Sequence, residues 1–308
     1  MKKFTILAVA LIFTALFFNA CDNTSTNPID NNQPTPNAPT NLRASSKDGS
    51  VMLKWTASTS ESNSLFAGYV LKITGGTPMA PIALTSAQNP YEVKGLENGV
   101  EYTFSLQAKY TNDSLSTPVT IKWSPATRFT LNENDAPIRV YETASSFGSG
   151  LVIFNPSTEA PKTAKVADGA NWTLGLYTKN GDLKIGSPKL LDYSYGSTPG
   201  TVEIADVISG VNSIEDVYDS QALNAKNFSE KVIDLKQYSS NIVLILRHHQ
   251  TGKTDWNYAK VLVKYTGGAF LQGTADNRYV ELIISYQKVT GMPYAKVKGS
   301  QKSDNNSK

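Results

Sequence analysis

Apolar and polar positions alternate along this chain far more often than they recur at helical spacing. Val51, Leu53 and Trp55 fall on one face of an extended segment, and Tyr102, Phe104, Leu106 and Ala108 on one face of another. Period-two patterning rich in β-branched and aromatic residues predicts half-buried antiparallel strands. In the first half the pattern predicts strands at 50–55, 68–73 and 102–108. Further along it predicts strands at 138–143, 151–154, 172–178, 183–185, 201–207, 231–235, 242–248, 258–265, 279–286 and 294–298. Turn chemistry separates them at Lys179-Asn180-Gly181-Asp182, Thr251-Gly252-Lys253 and Gly267-Gly268. Only 213–223 carries a helical signal, with Ser213 as N-cap and Asp216 at N3 of a capping-box-like pattern. Tyr258-Ala259-Lys260-Val261 and Tyr294-Ala295-Lys296-Val297 share their letters, and each reads as a strand with Tyr and Lys on opposite faces. The expected fold class is all-β.

The first of the two β-rich stretches carries a resemblance. Pro39-Thr40-Asn41-Leu42 matches a first strand, Trp55 stands where a core tryptophan is expected, and Tyr69 at a third-strand tyrosine. Leu96-Glu97-Asn98-Gly99-Val100-Glu101-Tyr102 resembles an L-x-P-G-x-x-Y corner with Asn98 in place of proline. Together these residues make 38–123 resemble a fibronectin type III domain. The resemblance implies an immunoglobulin-like sandwich, with Leu96 plugging its base and the Tyr102 hydroxyl tied back to the backbone at the corner. It implies a fold and no particular activity. Residues 124–136 read as a linker whose first half is extended, and 137–299 as a second antiparallel all-β domain.

The ends of the chain add location. Lys2 and Lys3 precede an apolar run from Phe4 to Phe18, which is the layout of a signal segment and too short to span a bilayer. Phe18-Asn19-Ala20 then leads into Cys21, the single cysteine of 308 residues. A bulky apolar −3, a small −1 and a cysteine at +1 resemble a bacterial lipobox, although Phe18 and Asn19 depart from its usual Leu and small residue. This makes 1–20 the signal peptide and Cys21 the lipidation site. The alternative is an exported chain with one free thiol. Two or three acyl chains hold a protein stably on a membrane, whereas one does so marginally. The polar stretches 21–37 and 300–308 bury too little to offset ordering entropy, and read as a flexible tether and a disordered tail. The expected location is the bacterial cell envelope, lipid-anchored at the outer membrane, with the leaflet left open.

Charge and motifs narrow the chemistry. The formal charge is +3, and +1 once Lys2 and Lys3 are removed, so no basic field exists to hold nucleic acid. With Cys21 acylated, no thiol remains for disulfides or a thiolate metal site. Neither G-x-S-x-G nor H-E-x-x-H occurs. Gly252-Lys253-Thr254 lacks the upstream glycine of a phosphate loop, since Arg247 stands there. No metal site and no catalytic set are expected, so the chain reads as a non-enzyme.

The second domain also resembles HmuY, a family of haem-binding surface lipoproteins. The resemblance rests on Trp172-Thr173-Leu174-Gly175-Leu176-Tyr177 followed by Gly186-Ser187, and later on Tyr258-Ala259-Lys260 and Glu281-Leu282-Ile283-Ile284-Ser285-Tyr286. Thr173 replaces the family's acidic residue, and Trp256-Asn257 its Asp-Gly. The resemblance implies haem held by a pair of ligands from separate strands. Here the two histidines, His248 and His249, are adjacent, and neighbours on a strand point to opposite faces. As bland strand-end residues they close a polar hairpin, and Met292 is the sole methionine of this domain. No cofactor is expected from the residues, and haem enters only through the resemblance.

Aromatic residues are the remaining candidates. Eleven of fifteen tyrosines lie after position 136. Tyr193 and Tyr195 share one face of an extended stretch, and Trp256 sits in a polar hairpin. Exposed, such rings contact glycans or proteins; half-buried, they are strand packing. Both readings stay open for Trp256. The expected function is a non-catalytic binding or adhesion module with the second domain as recognition unit. The candidate ligand residues are His248, His249, Trp256, Tyr193 and Tyr195, and the candidate partners are the membrane through the anchor and a protein or glycan ligand. A haem or small-ligand carrier, and an accessory to a polysaccharide-degrading system, are the alternatives.

Overall fold

The computed structural model describes residues 33–130, 137–194, 199–218, 228–250, 253–290 and 292, without the side chains of 169–171 and 206. The expected signal segment, Cys21, Tyr195, the 294–298 strand and the tail lie outside the described residues. No described helix is long and apolar enough to cross a membrane.

The architecture is all-β. Seven strands make the first sandwich: β1 (Thr40–Lys47), β2 (Ser50–Thr56), β3 (Phe66–Thr74), β4 (Ile82–Leu84), β5 (Tyr91–Lys94), β6 (Tyr102–Tyr110) and β7 (Val119–Trp123). They form two antiparallel sheets in the orders β1-β2-β5 and β4-β3-β6-β7. Alternation sets the burial: in β6, Tyr102, Phe104, Leu106, Ala108 and Tyr110 are buried and the residues between them are not. Trp55 packs edge-on against Tyr69 at 5.5 Å, and both belong to the core shared by the two sheets. The corner forms as its residues require. The Tyr102 hydroxyl accepts the Glu97 amide at 3.0 Å, and Leu96 is buried in the same core. Asn98, in the proline position, accepts the Gly49 amide at 3.0 Å.

Among the described residues, eleven strands make the second sandwich: β8 (Thr127–Phe129), β9 (Ile138–Tyr141), β10 (Gly150–Asn155), β11 (Ala160–Ala164), β12 (Leu174–Tyr177), β13 (Lys184–Gly186), β14 (Val202–Ser209), β15 (Val232–Asp234), β16 (Ile242–His249), β17 (Trp256–Val263) and β18 (Tyr279–Tyr286). One sheet runs β11-β10-β12-β13-β15 and the other β14-β16-β17-β18-β8, with β9 also paired to β18. Their inner faces share one core that includes Leu151, Leu176, Ile204, Leu246, Val261 and Ile284. The outer face of the larger sheet carries a second apolar patch of Ala205, Val243, Ile245 and Leu262 beneath Ile214 and Val217. Covering on both faces explains why Ile242 to Leu246 reads as an unbroken apolar run: all five are fully buried.

Several local expectations change. The described part of the expected 213–223 helix, residues 213–218, holds one 3-10 turn, Ile214–Asp216, with the capping box of Ser213 and Asp216 present. It stops at Val217, which is extended, because the carbonyls of Ile214 and Val217 accept from the Lys260 ammonium. Tyr258 and Lys260, two residues apart, share the outer face, as strand period two requires, instead of lying on opposite faces. Strand β12 starts at Leu174, because the Trp172 indole folds onto the glycine pair Gly150 and Gly175, which face each other in register. A Cβ on Gly150 would lie 1.9 Å from that ring. Strand β11, with Pro161 and two alanines among its five residues, has no alternation to announce it. It lies at a sheet edge, where a missing donor costs nothing.

Candidate functional site

The two histidines end β16 on opposite faces. His248 points inward and is 5% exposed. Its Nε2 lies 3.1 Å from the Tyr286 hydroxyl and its Nδ1 3.1 Å from the His249 carbonyl. One proton arrangement satisfies the cluster: Nδ1–H donates to the carbonyl, Nε2 accepts from Tyr286, and the Tyr286 oxygen accepts from Gln250 at 3.0 Å. Burial pushes the His248 pKa down to about 4, so the ring is neutral at physiological pH. Both ring nitrogens are occupied, which leaves none for iron without breaking this cluster.

His249 points outward and stacks on Trp256 at 3.6 Å, across the β16–β17 pair. Arg247 lies 4.4 Å from the Trp256 ring and 4.7 Å from Phe228, and donates to Glu203 from Nε at 2.7 Å. This end of the outer face is therefore an internally stacked ladder. Trp256 is partly exposed, but His249 and Arg247 both rest against its ring. Tyr193 is half-buried and turned inward. Its hydroxyl donates to the Leu176 carbonyl at 2.5 Å and lies 2.8 Å from Thr143 Oγ1. Its ring meets Trp172 and Tyr177 edge-on. Burial raises its pKa. The described structure brings His249 together with Trp256 and keeps both apart from His248 and Tyr193.

A different surface collects aromatic residues that face solvent. Phe147 is 58% exposed and is the one exposed aromatic among the large hydrophobic residues described. It lies 4.9 Å from Tyr141, which meets Tyr279 edge-on at 5.7 Å. The Arg139 guanidinium sits 4.2 Å over Tyr279. The four side chains form a ridge at the β9–β18 end of the larger sheet, where Tyr141 and Tyr279 are register partners.

The loop that lifts Phe147 is pinned. The Glu142 amide donates to the Arg278 carbonyl at 2.8 Å, the Ser145 amide to the Glu142 carbonyl at 3.0 Å, and the Tyr141 amide to the Gly148 carbonyl at 3.1 Å. Ser145 Oγ accepts the Phe147 amide at 3.2 Å. Gly148 has φ +109°, and a Cβ there would meet the Ala164 carbonyl oxygen at 2.5 Å, so only glycine fits. In the buried Glu142 carboxylate, Oε2 accepts from Arg278 Nε and Nη2 at 3.0 and 2.6 Å and Oε1 from the Arg278 amide at 2.8 Å, which holds its pKa below the usual carboxylate range.

The cations around the ridge each have a carboxylate partner. Glu281 faces Arg139 at 3.7 Å and Lys264 at 3.4 Å. Among the described residues no group of three or more His, Cys, Asp or Glu is placed to hold a metal ion. Sequence reading passed over Phe147, although the signal was there: a lone large aromatic in the serine-glycine run 144–150.

A family model for the fibronectin type III domain matches residues 37–122, and those residues form such a domain. Among solved structures, a myokine is similar at 22% identity, over 30% of this chain and 99% of its own, with a TM-score of 0.23. A two-domain fibronectin type III segment of chicken tenascin is similar at 12% identity, over 76% of this chain and 94% of its own, with a TM-score of 0.27. No curated protein matches the chain.

Proposed function

We propose that this protein is a non-catalytic recognition module of the bacterial cell envelope, held to the outer membrane by acyl chains on Cys21, with its second sandwich binding a neutral polysaccharide. The ridge of Phe147, Tyr141 and Tyr279 carries this reading. Three rings on one surface, tilted 38° and 65° from one to the next and one of them on a pinned loop, offer apolar area at low entropic cost. Each surrounding cation is paired with a carboxylate, which favours an uncharged partner over a polyanion. A fibronectin type III domain beside such a surface suits a binding protein, and accessory service to a polysaccharide-degrading system is compatible with it. Haem binding has less support, because His248 and His249 face opposite sides of the sheet and both ring nitrogens of His248 are engaged.

The test is depletion of the protein from solution by insoluble cellulose, xylan and chitin. Binding to at least one polymer, weakened about tenfold or more by Phe147→Ala, is the expected result. Phe147 is exposed, so the variant keeps its fold. No depletion by any of the three polymers, or equal depletion of the variant, overturns the reading.

A further inference from the structure

The outer face of the larger sheet bears a lysine in an unusual place. Lys260 is 2% exposed at the middle of β17, on the outer face beneath the turn that carries Ile214 and Val217. Its Nζ donates to the carbonyls of Ile214 and Val217, at 3.2 Å each, and to Ser45 Oγ at 3.0 Å. Ser45 belongs to β1 of the other sandwich and itself donates to the Val217 carbonyl at 3.1 Å. Ammonium, hydroxyl and carbonyl thus close a three-membered ring of hydrogen bonds drawn from both sandwiches.

Other contacts tighten the same seam. The Arg128 amide donates to Asp48 at 2.9 Å, and Arg128 also pairs with Glu215. Gln287 Nε2 donates to Ser124 Oγ at 3.2 Å and to the Pro125 carbonyl at 3.3 Å. The Tyr218 ring faces the Arg43 guanidinium at 5.4 Å. The chain between the sandwiches is held as well, since the Ala126 amide donates to the Lys47 carbonyl at 3.1 Å.

We infer that the two sandwiches are latched into one rigid body by Lys260, which closes the 213–218 turn of the second onto Ser45 of the first. Burying an ammonium is costly unless its donors are all met. Two of its acceptors come from the turn and another, Ser45 Oγ, from the docked first sandwich, so docking contributes to the coordination. The fibronectin type III domain is then a fixed support that blocks the centre of the outer face, and not a swinging spacer. Among the described residues, the Tyr279 end and the Trp256 end of that face lie away from this contact.

Two measurements on the full chain test the latch. Backbone amide ¹⁵N relaxation is expected to give one rotational correlation time for both sandwiches. Two distinct times, each near that of a lone domain, overturn the inference. Ser45→Ala and Lys260→Met, singly and together, are followed by urea unfolding. The expected result is one transition in which Ser45→Ala loses most of its effect when Lys260 is already Met, a coupling of about fivefold or more in the unfolding constant. Additive effects, or a Ser45→Ala effect confined to a separate first-sandwich transition, overturn it. The relaxation measurement uses the unaltered protein and decides even if a variant fails to fold.

Discussion

Replacing Lys260 with Met changes how stability depends on pH. Burial dominates the environment of the ammonium and lowers its pKa from 10.5 to about 8, with Glu215 pulling the other way. Between those two values the unfolded chain binds a proton that the folded chain has released, so stability rises with pH. From pH 7 to pH 9.5 the gain worked from this shift is about 2 kcal/mol. The range stops short of pH 10 for a reason. Burial holds the proton on Tyr69, with a pKa of about 12, and on Tyr286. Their unfolded counterparts ionise near 10, so above that pH stability falls again. At neutral pH, Lys260→Met removes a desolvated charge but leaves the Ile214 carbonyl short of a donor. These effects oppose each other, and the net change is within about 1 kcal/mol. Urea unfolding of both proteins at pH 7.0, 8.0 and 9.5, followed by tryptophan fluorescence, separates the cases. The unaltered protein gains stability across the series and the variant does not. A parallel pH response in the two proteins would show that Lys260 sits in water and refute the reasoning.

Gly150→Ala sets a methyl 1.9 Å from the Trp172 ring, and a thermal melt should show a loss of about 3 kcal/mol or more, overpacking combined with a displaced tryptophan. Tyr102→Phe frees the Glu97 amide at the first sandwich's corner and should cost about 1 kcal/mol in urea unfolding. Glu142 has its pKa lowered by Arg278, so its contribution is present above pH 4.5 and fades as pH falls through the lowered value. Glu142→Gln should therefore destabilise at pH 7 and narrow its deficit towards pH 3, in parallel chemical denaturation series. Haemin added to the full chain should give no saturable Soret shift, and a stoichiometric one abolished by His248→Ala would reverse the assignment of that residue to packing.

The first sandwich was legible because each of its signals is local. Trp55, Tyr69, Leu96 and Tyr102 occupy positions where one residue type does one job, and the alternation in 102–110 survives intact. The opposite facing of His248 and His249 follows from strand period alone. What stayed hidden depended on contacts distant in sequence. The 213–223 segment has a sound capping box, yet its carbonyls answer to a lysine 46 and 43 residues away. Lys260 reads as an ordinary exposed strand residue until Ser45, 215 residues earlier, is brought over it. Trp256 and Tyr193 drew attention by residue type, but type alone does not reveal that Arg247 and His249 rest on one ring and that Trp172 and Tyr177 flank the other. Phe147 was the reverse case, a single aromatic in a small-residue loop, exposed because a pinned turn holds it out.

Hydrogen exchange of the full chain with and without saturating cello-, xylo- and chito-oligosaccharides tests the recognition surface most directly. The account predicts that at least one oligosaccharide slows exchange around Arg139, Tyr141, Phe147 and Tyr279 and leaves the 247–256 hairpin unchanged. Protection centred on Trp256 and His249, or none with any of the three, would contradict it.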